Sequence, residues 1–197
     1  PSHANTSWDQ ARFETVMHRW VDVSEPDFGV AFFNDCKYGY DVRGSTVRLT
    51  LLKSPVYPWP EADQGEHHFR YAAVVHHGLL ASDIPGRAEA YNLPLRLVAG
   101  QGDGAANGPL LALDGQGATL EALKRSEDGT GLIARIWETH GRSGAVSVHL
   151  PEGTSQAHIV NLLERDPQAL MIKDGKVQLA LAPFQIVTLK LQTGTGA

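Results

Sequence analysis

Alternation of hydrophobic and polar residues is the dominant pattern along the chain, and it predicts β-strands. Over residues 11–23 the apolar side chains mostly recur at every second position, which is typical of a strand with one buried face. After a turn at residues 24–27, the apolar run 28–33 predicts a buried strand. Residues 37–44 and 47–51 together predict an antiparallel hairpin with an elaborate connection.

The middle of the chain is less regular. Three prolines within residues 54–60 exclude a regular ladder or a helix interior, so this segment is predicted to be an extended loop. The aromatic and branched residues of 67–75 predict a further strand, and residues 85–91 a short helix. The glycine-rich segment 100–108 is predicted to be a surface loop.

The last part of the chain is predicted to form short strands separated by turns such as Asp128-Gly129. These strands are expected at residues 119–125, 132–139, 145–150, 158–163, 176–181 and 184–191. Their spacing of about 10 to 15 residues is typical of a sandwich. The fold class is therefore all-β, an antiparallel β-sandwich.

Composition and charge exclude several classes of protein. The 197 residues include 17 Lys and Arg against 22 Asp and Glu, so the net charge of −5 argues against a nucleic-acid partner. No apolar run approaches the roughly 18 residues of a transmembrane helix, and no membrane partner is expected. Cys36 is the only cysteine, so no internal disulfide and no cysteine-based zinc site can form. A reducing, cytoplasmic location is expected.

The first residues carry no initiator methionine and no apolar signal segment. Strongly patterned β sequence follows within about twenty residues, which favours a piece of a longer polypeptide. A processed but otherwise complete protein remains the alternative.

Histidine pairs invite a metal hypothesis, which strand geometry argues against. At about 3.3 Å per residue, His68 and His76 on one strand would lie roughly 26 Å apart. They cannot share an ion whose ligand bonds are about 2 Å long. We therefore expect no metal site built from this chain alone, and we expect edge or hydrogen-bonding roles for the histidines.

Acidic and aromatic residues are concentrated in two irregular segments. The acids are Asp35, Asp41, Glu61, Asp63 and Glu66, and the aromatic residues are Tyr38, Tyr40, Tyr57 and Trp59. A retaining glycosidase needs two carboxyl groups about 5 to 5.5 Å apart, but solvated loop acids are far commoner, so no catalytic residue is expected. Aromatic rings beside acids are also typical of sugar binding. Packing of the rings on the sheet explains any single one of them equally well.

The chain resembles the C-terminal region of glycoside hydrolase family 38 α-mannosidases, closest to the cytosolic and bacterial branch. The matching segments run in order and include residues 12–25, 34–42, 51–55, 62–72, 123–129, 135–141, 161–164 and 183–184. Two features depart from the family pattern. Trp59 stands where a small or acidic residue is expected, and the loop from Gly100 matches nothing in the family.

The resemblance implies an α-mannosidase that hydrolyses terminal α-linked mannose with retention. Its nucleophile, its acid/base residue and one divalent metal, usually zinc, would lie in an N-terminal catalytic barrel. No motif for these matches here, so no catalytic residue, metal ligand or cofactor is assigned to this chain. Residues 1–92 would supply the later part of a large, galactose-mutarotase-like supersandwich, and residues 93–197 a smaller terminal β-sandwich. The implied partners are the barrel of the same polypeptide, an α-mannoside substrate and, as a further option, a second copy of the chain.

Two groups of site residues follow from the resemblance. The substrate-pocket rim would contain Asn34, Asp35, Lys37, Tyr38, Tyr40 and Asp41, with Tyr38 and Tyr40 foremost. Gly39 between them would permit a tight turn. The alternative is that this segment only locks the sandwich to the barrel. Asp63, Glu66 and His67 are expected to fix a loop by hydrogen bonds. Two other classes remain, a stand-alone carbohydrate-binding module and a structural or oligomerisation module.

Overall fold

The computed structural model describes residues 6–11, 13–78, 83–97, 99, 108–115 and 117–193. Within these residues nearly all regular structure is antiparallel β-sheet, which confirms the all-β prediction. The chain divides into two compact units, Pro1–Leu97 and Val98–Ala197. The predicted boundary between residues 92 and 93 lies at the end of a helix in the first unit. The assignment of those two ranges to separate domains of a larger protein stays a prediction.

The first unit contains two short helices and two three-stranded antiparallel sheets among its described residues. Its elements are α1 (Ser7–Ala11), β1 (Thr15–Val16), β2 (Trp20–Ser24), β3 (Gly29–Asn34), β4 (Gly39–Arg43), β5 (Thr46–Leu49), β6 (Tyr71–His76) and α2 (Ile84–Asn92). The strand orders are β2-β3-β6 and β1-β4-β5. The core forms where Ile84 and Ala88 of α2 pack with Ala31 and Phe33 of β3.

The second unit is a β-sandwich. Its strands are β7 (Ala112–Asp114), β8 (Ala118–Arg125), β9 (Leu132–Glu138), β10 (Gly144–His149), β11 (Thr154–Val160), β12 (Gln168–Leu170), β13 (Lys176–Leu181) and β14 (Ile186–Thr193). They form the sheets β13-β10-β7 and β12-β11-β14-β9-β8. Strand β13 shows how the core is built, because Val177, Leu179 and Leu181 are buried while the residues between them are more exposed. Side chains from both sheets join in one hydrophobic cluster.

Two predictions near the start of the chain need correction. Residues 11–23 are not one strand: β1 and β2 belong to different sheets, and the chain between them turns at Arg19, whose φ is 74°. The period-2 alternation of the sequence therefore continues across the turn between β1 and β2, and only the backbone conformation shows that turn. The predicted hairpin is confirmed as β4 and β5, but Arg43 pairs with Thr46, so the connection is two residues rather than elaborate.

The remaining elements mostly lie where the pattern predicts them. The helix at 85–91 is confirmed as α2, and the strand predicted at 67–75 begins only at Tyr71. The prediction for 158–163 was displaced, since β11 ends at Val160. The three-residue strands β7 and β12 were missed because they are too short to show a period. The loop predicted at 100–108 lies, except for its last residue, outside the described residues.

Candidate functional site: a polar cleft in the first unit

A cleft of about 570 Å³ opens beside the paired strands β1 and β4 of the first unit. Its walls come from residues 14–16, 36–39, 50–53, Pro55 and Asp63. Strand pairing explains the arrangement, because Val16 lies opposite Gly39 in the ladder and the amide of Thr50 donates to the carbonyl of Gly39 (2.8 Å).

Glu14 is the best-fixed carboxylate of the cleft. It accepts a hydrogen bond from Nζ of Lys53 at 2.6 Å and another from the hydroxyl of Thr50. The hydrogen bond from Lys53, followed by that from Thr50, lowers the pKa of Glu14. A Cβ at Gly39 would lie 2.7 Å from Oε1 of Glu14 and 3.0 Å from Cβ of Thr50, so a larger residue there would require these side chains to shift.

Tyr38 and Lys37 supply hydrogen-bond donors to the cleft. The ring of Tyr38 is 39% exposed and stands edge-on to His18, with 5.5 Å between ring centroids. Its carbonyl accepts from the amide of Met17 at 2.8 Å, which fixes the backbone. Within the described part of the chain, neither the hydroxyl of Tyr38 nor the ammonium of Lys37 makes a hydrogen bond. Both groups are therefore available to a ligand.

Asp63 shapes the other wall. Its Oδ2 accepts from the amide of Ser54 at 3.0 Å and from that of Lys53 at 3.4 Å. The backbone hydrogen bond from Ser54 is the main cause that lowers the pKa of Asp63. Nε2 of His67 lies 2.9 Å from the carbonyl oxygen of Asp63, which closes the turn on itself. Glu66 is exposed and lies 3.2 Å from Nε2 of His68 instead.

Asn34 and Asp35 hold the unit together and do not line the cleft. Asn34 is fully buried. Its side-chain Nδ2 donates to the backbone carbonyl of Met17 at 3.0 Å, and its backbone carbonyl accepts from Nδ2 of Asn92. The structure thus places Asn34 in the interior of the first unit, and its expected role at a substrate-pocket rim stays a prediction. The carboxylate of Asp35 accepts one hydrogen bond from the backbone amide of Arg70 and one from its Nε, both at 3.0 Å. The hydrogen bond from the backbone amide is the main cause that lowers the pKa of Asp35.

Tyr40 and Asp41 also lie outside the lining of the cleft. Asp41 faces its register partner Arg48 on β5, and Nη2 of Arg48 lies 2.8 Å from Oδ1. Tyr40 is half-buried, and burial raises the pKa of its phenol. Of the six expected rim residues, Lys37 and Tyr38 therefore line the cleft in this unit. Glu14, which the sequence reasoning missed as a site residue, lies 36 residues from Thr50 along the chain.

The described residues contain neither a cluster of metal-binding side chains nor a helix that could cross a membrane. Among the described residues, no three His, Cys, Asp or Glu side chains come together in a group that could hold a metal ion. In the same residues, no helix is both long and apolar enough to cross a membrane.

A second cavity, of about 640 Å³, lies in the second unit. Its lining runs along Ile159–Leu162 and residues 185–188, with Gln168, Leu170 and residues 178–180 completing it. None of these residues carries a group that titrates near neutral pH. The cavity lining therefore offers no acid or base that titrates near neutral pH.

Two family models match the chain. The glycosyl hydrolases family 38 C-terminal domain matches residues 1–61, and the family 38 C-terminal beta sandwich domain matches residues 117–189. Human alpha-mannosidase 2C1 is 39% identical over 198 residues, and the alignment covers 97% of this chain but 19% of that protein. Alpha-mannosidase G of Dictyostelium discoideum is 37% identical over 96% of this chain and 18% of its own length.

A solved structure agrees on the fold. The crystal structure of an alpha-mannosidase from Enterococcus faecalis matches with a TM-score of 0.70 at 23% identity, over 91% of this chain and 21% of that one. The chain thus spans about a fifth of the length of the curated relatives it matches. With two models of one family matching in order, and relatives aligned over almost every residue, the chain belongs to glycosyl hydrolase family 38, within its C-terminal β-sandwich region.

Proposed function

We propose that this chain is the non-catalytic C-terminal part of an α-mannosidase that hydrolyses terminal α-linked mannose with retention. The observation that carries the proposal is the alignment with alpha-mannosidases over 97% of the chain but only 19% of the human relative. The nucleophile, the acid/base residue and a divalent ion, zinc in the family resemblance, are assigned to a catalytic barrel outside this sequence. The chain supports that barrel.

The cleft of the first unit is proposed to form part of the substrate-pocket rim. Sugar hydroxyls both donate and accept hydrogen bonds, so a rim needs both kinds of partner. The free donors of Lys37 and Tyr38 lie in the same cleft as the carboxylates of Glu14 and Asp63. The half-exposed ring of Tyr38 adds an apolar face for the C–H groups of a sugar.

The test uses the full-length protein with an α-mannoside and measures kcat and KM. Loss of one hydrogen bond costs about 1 kcal/mol, so Tyr38→Phe is expected to lower kcat/KM by about fivefold. Tyr40→Phe is the matched control, because Tyr40 does not line the cleft, and a change below about twofold is expected. Unchanged kcat and KM in both Tyr38→Phe and Lys37→Met would remove these residues from the rim.

A carbohydrate-binding module that acts without a barrel is the second candidate. It is favoured by Tyr57 and Trp59, whose side chains are 86% and 64% exposed. Calorimetric titration with mannose and mannobiose tests it: binding by the chain without the barrel supports this function, and no heat contradicts it. A structural module that mediates homo-oligomers predicts a defined oligomer by light scattering, and a monomer contradicts it.

Location in the cytoplasm is part of the proposal. It is supported by the resemblance to the cytosolic and bacterial branch and by the single cysteine, Cys36, which excludes an internal disulfide. Fractionation of cells that express the full-length protein tests it. Recovery of the mannosidase activity with membranes or in the medium would contradict this location.

A further inference from the structure

Residues 51–60, here called the apolar loop, are exposed at every position. The exposed fractions of its large hydrophobic residues are 42% for Leu51, 43% for Leu52, 76% for Val56, 86% for Tyr57 and 64% for Trp59. Scattered exposed hydrophobic residues are ordinary on protein surfaces, but a contiguous group indicates an interaction site.

The apolar loop is held in position by polar contacts at its two ends. Asp63 accepts from the amide of Ser54, and the carbonyl of Trp59 accepts from the amide of Ala62 at 3.1 Å. Nε2 of Gln64 donates to the carbonyl of Pro60 at 3.4 Å. Three prolines further restrict the backbone. The fold therefore presents these side chains outward and does not collapse them onto the unit.

The composition of the apolar loop resembles that of an interface core. Lys53 is its only charged residue, whereas aromatic residues and aliphatic side chains occupy half of its positions. Interface cores are enriched in aromatic side chains and depleted of charge. Burial of apolar surface is favourable, so docking of this loop would be stabilising.

We propose that the apolar loop docks against the N-terminal catalytic region of the same polypeptide. This inference rests on the proposed function. About four-fifths of the human relative's length lies outside the aligned segment, so a large protein surface is available as the occupant. A sugar fits less well, because Leu51, Leu52 and Val56 offer it no hydrogen bond. A second copy of the chain is treated as an outcome of the test.

Hydroxyl-radical footprinting of the full-length protein tests the docking. The oxidation rate of Trp59 and Tyr57 is measured in the native protein and in urea. A docked loop is expected to slow oxidation by about tenfold or more in the native state, since interface cores exclude water. Phe184 serves as the comparison in the same molecule, because its exposed fraction equals the 64% of Trp59. If the oxidation rate of Trp59 is the same in the native protein as in urea, the proposal is overturned.

Two further outcomes also overturn it. Protection of Trp59 that disappears on dilution assigns the face to a second copy of the protein. Protection that appears only when mannobiose is added assigns it to a sugar. Protection that is independent of protein concentration and of sugar supports docking to the catalytic region.

Variants of the full-length protein give an independent readout. Val56→Ser and Trp59→Ser remove side chains that are mostly exposed within this unit, so its own folding is unaffected. If the loop docks, each variant lowers the Tm of the full-length protein and speeds oxidation of Tyr57 by about tenfold. Leu163→Ser is the matched control, with 71% of Leu163 exposed in the second unit. No Tm shift for either loop variant counts against docking.

Activity separates this inference from the proposed function. If the native protein releases mannose while Trp59 is oxidised as fast as in urea, the proposed function is supported and the docking is overturned. A protected Trp59 in a protein that releases no mannose from any α-mannoside supports docking and overturns the function.

Discussion

Gly29 and His76 are register partners on the neighbouring strands β3 and β6, and the imidazole occupies the space that a side chain at position 29 would need. A Cβ at Gly29 would lie 2.2 Å from Cε1 of His76, 2.5 Å from its Nε2 and 2.8 Å from Cβ of Ser24. Below it, Nε2 of His76 lies 2.7 Å from Oδ1 of Asp22, and both of these side chains are only 6% exposed.

Gly29→Ala is therefore expected to destabilise the first unit. The added methyl group must displace a buried imidazole, so the free energy of unfolding should fall by about 1–3 kcal/mol or more. Gly86→Ala is the matched control, because nothing lies within 4 Å of a Cβ there and Gly86 lies in α2. Alanine in a helix is favoured over glycine by about 0.8–1 kcal/mol, so this variant should be stabilised. Urea unfolding measures both, and equal effects of the two substitutions would contradict the account.

The buried contact between Asp22 and His76 gives a second prediction. Oδ2 of Asp22 also accepts from the hydroxyl of Ser24 at 2.8 Å, so the carboxylate is fixed from two sides. His76→Ala leaves the buried carboxylate of Asp22 without its imidazole partner, so the free energy of unfolding should fall by about 1–3 kcal/mol or more. Arg87→Ala breaks the exposed pair with Asp83 and should cost less than about 1 kcal/mol. Urea unfolding measures the free energy of unfolding of both variants. A similar decrease for His76→Ala and Arg87→Ala would show that burial of the contact between Asp22 and His76 does not matter.

Glu138 anchors a turn of the second unit and gives a pH-dependent prediction. The residue is 3% exposed, and its carboxylate accepts from the amides of His140, Gly141 and Phe184 at 2.8–2.9 Å. Burial raises the pKa of Glu138, but the backbone hydrogen bonds together outweigh burial, so the pKa lies below the usual 4.5. Because the folded-state pKa is lowered, the ionised carboxylate stabilises the folded protein above pH 4.5. That contribution is lost as the pH falls through the folded-state pKa.

Glu138→Gln should therefore lower the free energy of unfolding by about 1–3 kcal/mol at pH 7, since one amide donor of Gln would face backbone donors. The difference from the unsubstituted protein should shrink below pH 4.5. Urea unfolding between pH 3 and pH 8 measures this. Glu152→Gln is the control, since Glu152 is exposed, and it should show no such dependence. A difference that is constant with pH would contradict the role of ionised Glu138.

Asp63 gives a prediction about the apolar loop rather than about global stability. Its φ of 62° suits asparagine as well as aspartate, so Asp63→Asn removes charge while it keeps the backbone conformation. Weaker acceptance from the amide of Ser54 should loosen residues 51–60 and increase their cleavage by limited proteolysis. Because the pKa of Asp63 is lowered, acid should have the same effect only well below neutral pH. Cleavage of Asp63→Asn at an unchanged rate would contradict this anchoring.

Much of the fold could be predicted from local pattern. The period-2 alternation of residues 176–181 corresponds to β13, and the proline-containing segment 85–91 corresponds to α2. The pattern failed over residues 11–23, where Arg19 adopts a left-handed conformation that no hydrophobic period reports. Chemistry was harder to predict than structure. Asn34 carries a polar side chain in a motif-like segment, yet it is buried as a bridge between Met17 and Asn92.

By itself, the sequence determined the all-β class, the approximate strands and the family resemblance, because these depend on residue type and short-range spacing. Only the tertiary structure decided which side chains meet. Glu14 contacts Lys53 across 39 residues, and Asp22 contacts His76 across 54. The physical reason is that alternation tells which face of a strand a residue occupies, whereas its partners depend on the order and register of strands distant in the chain.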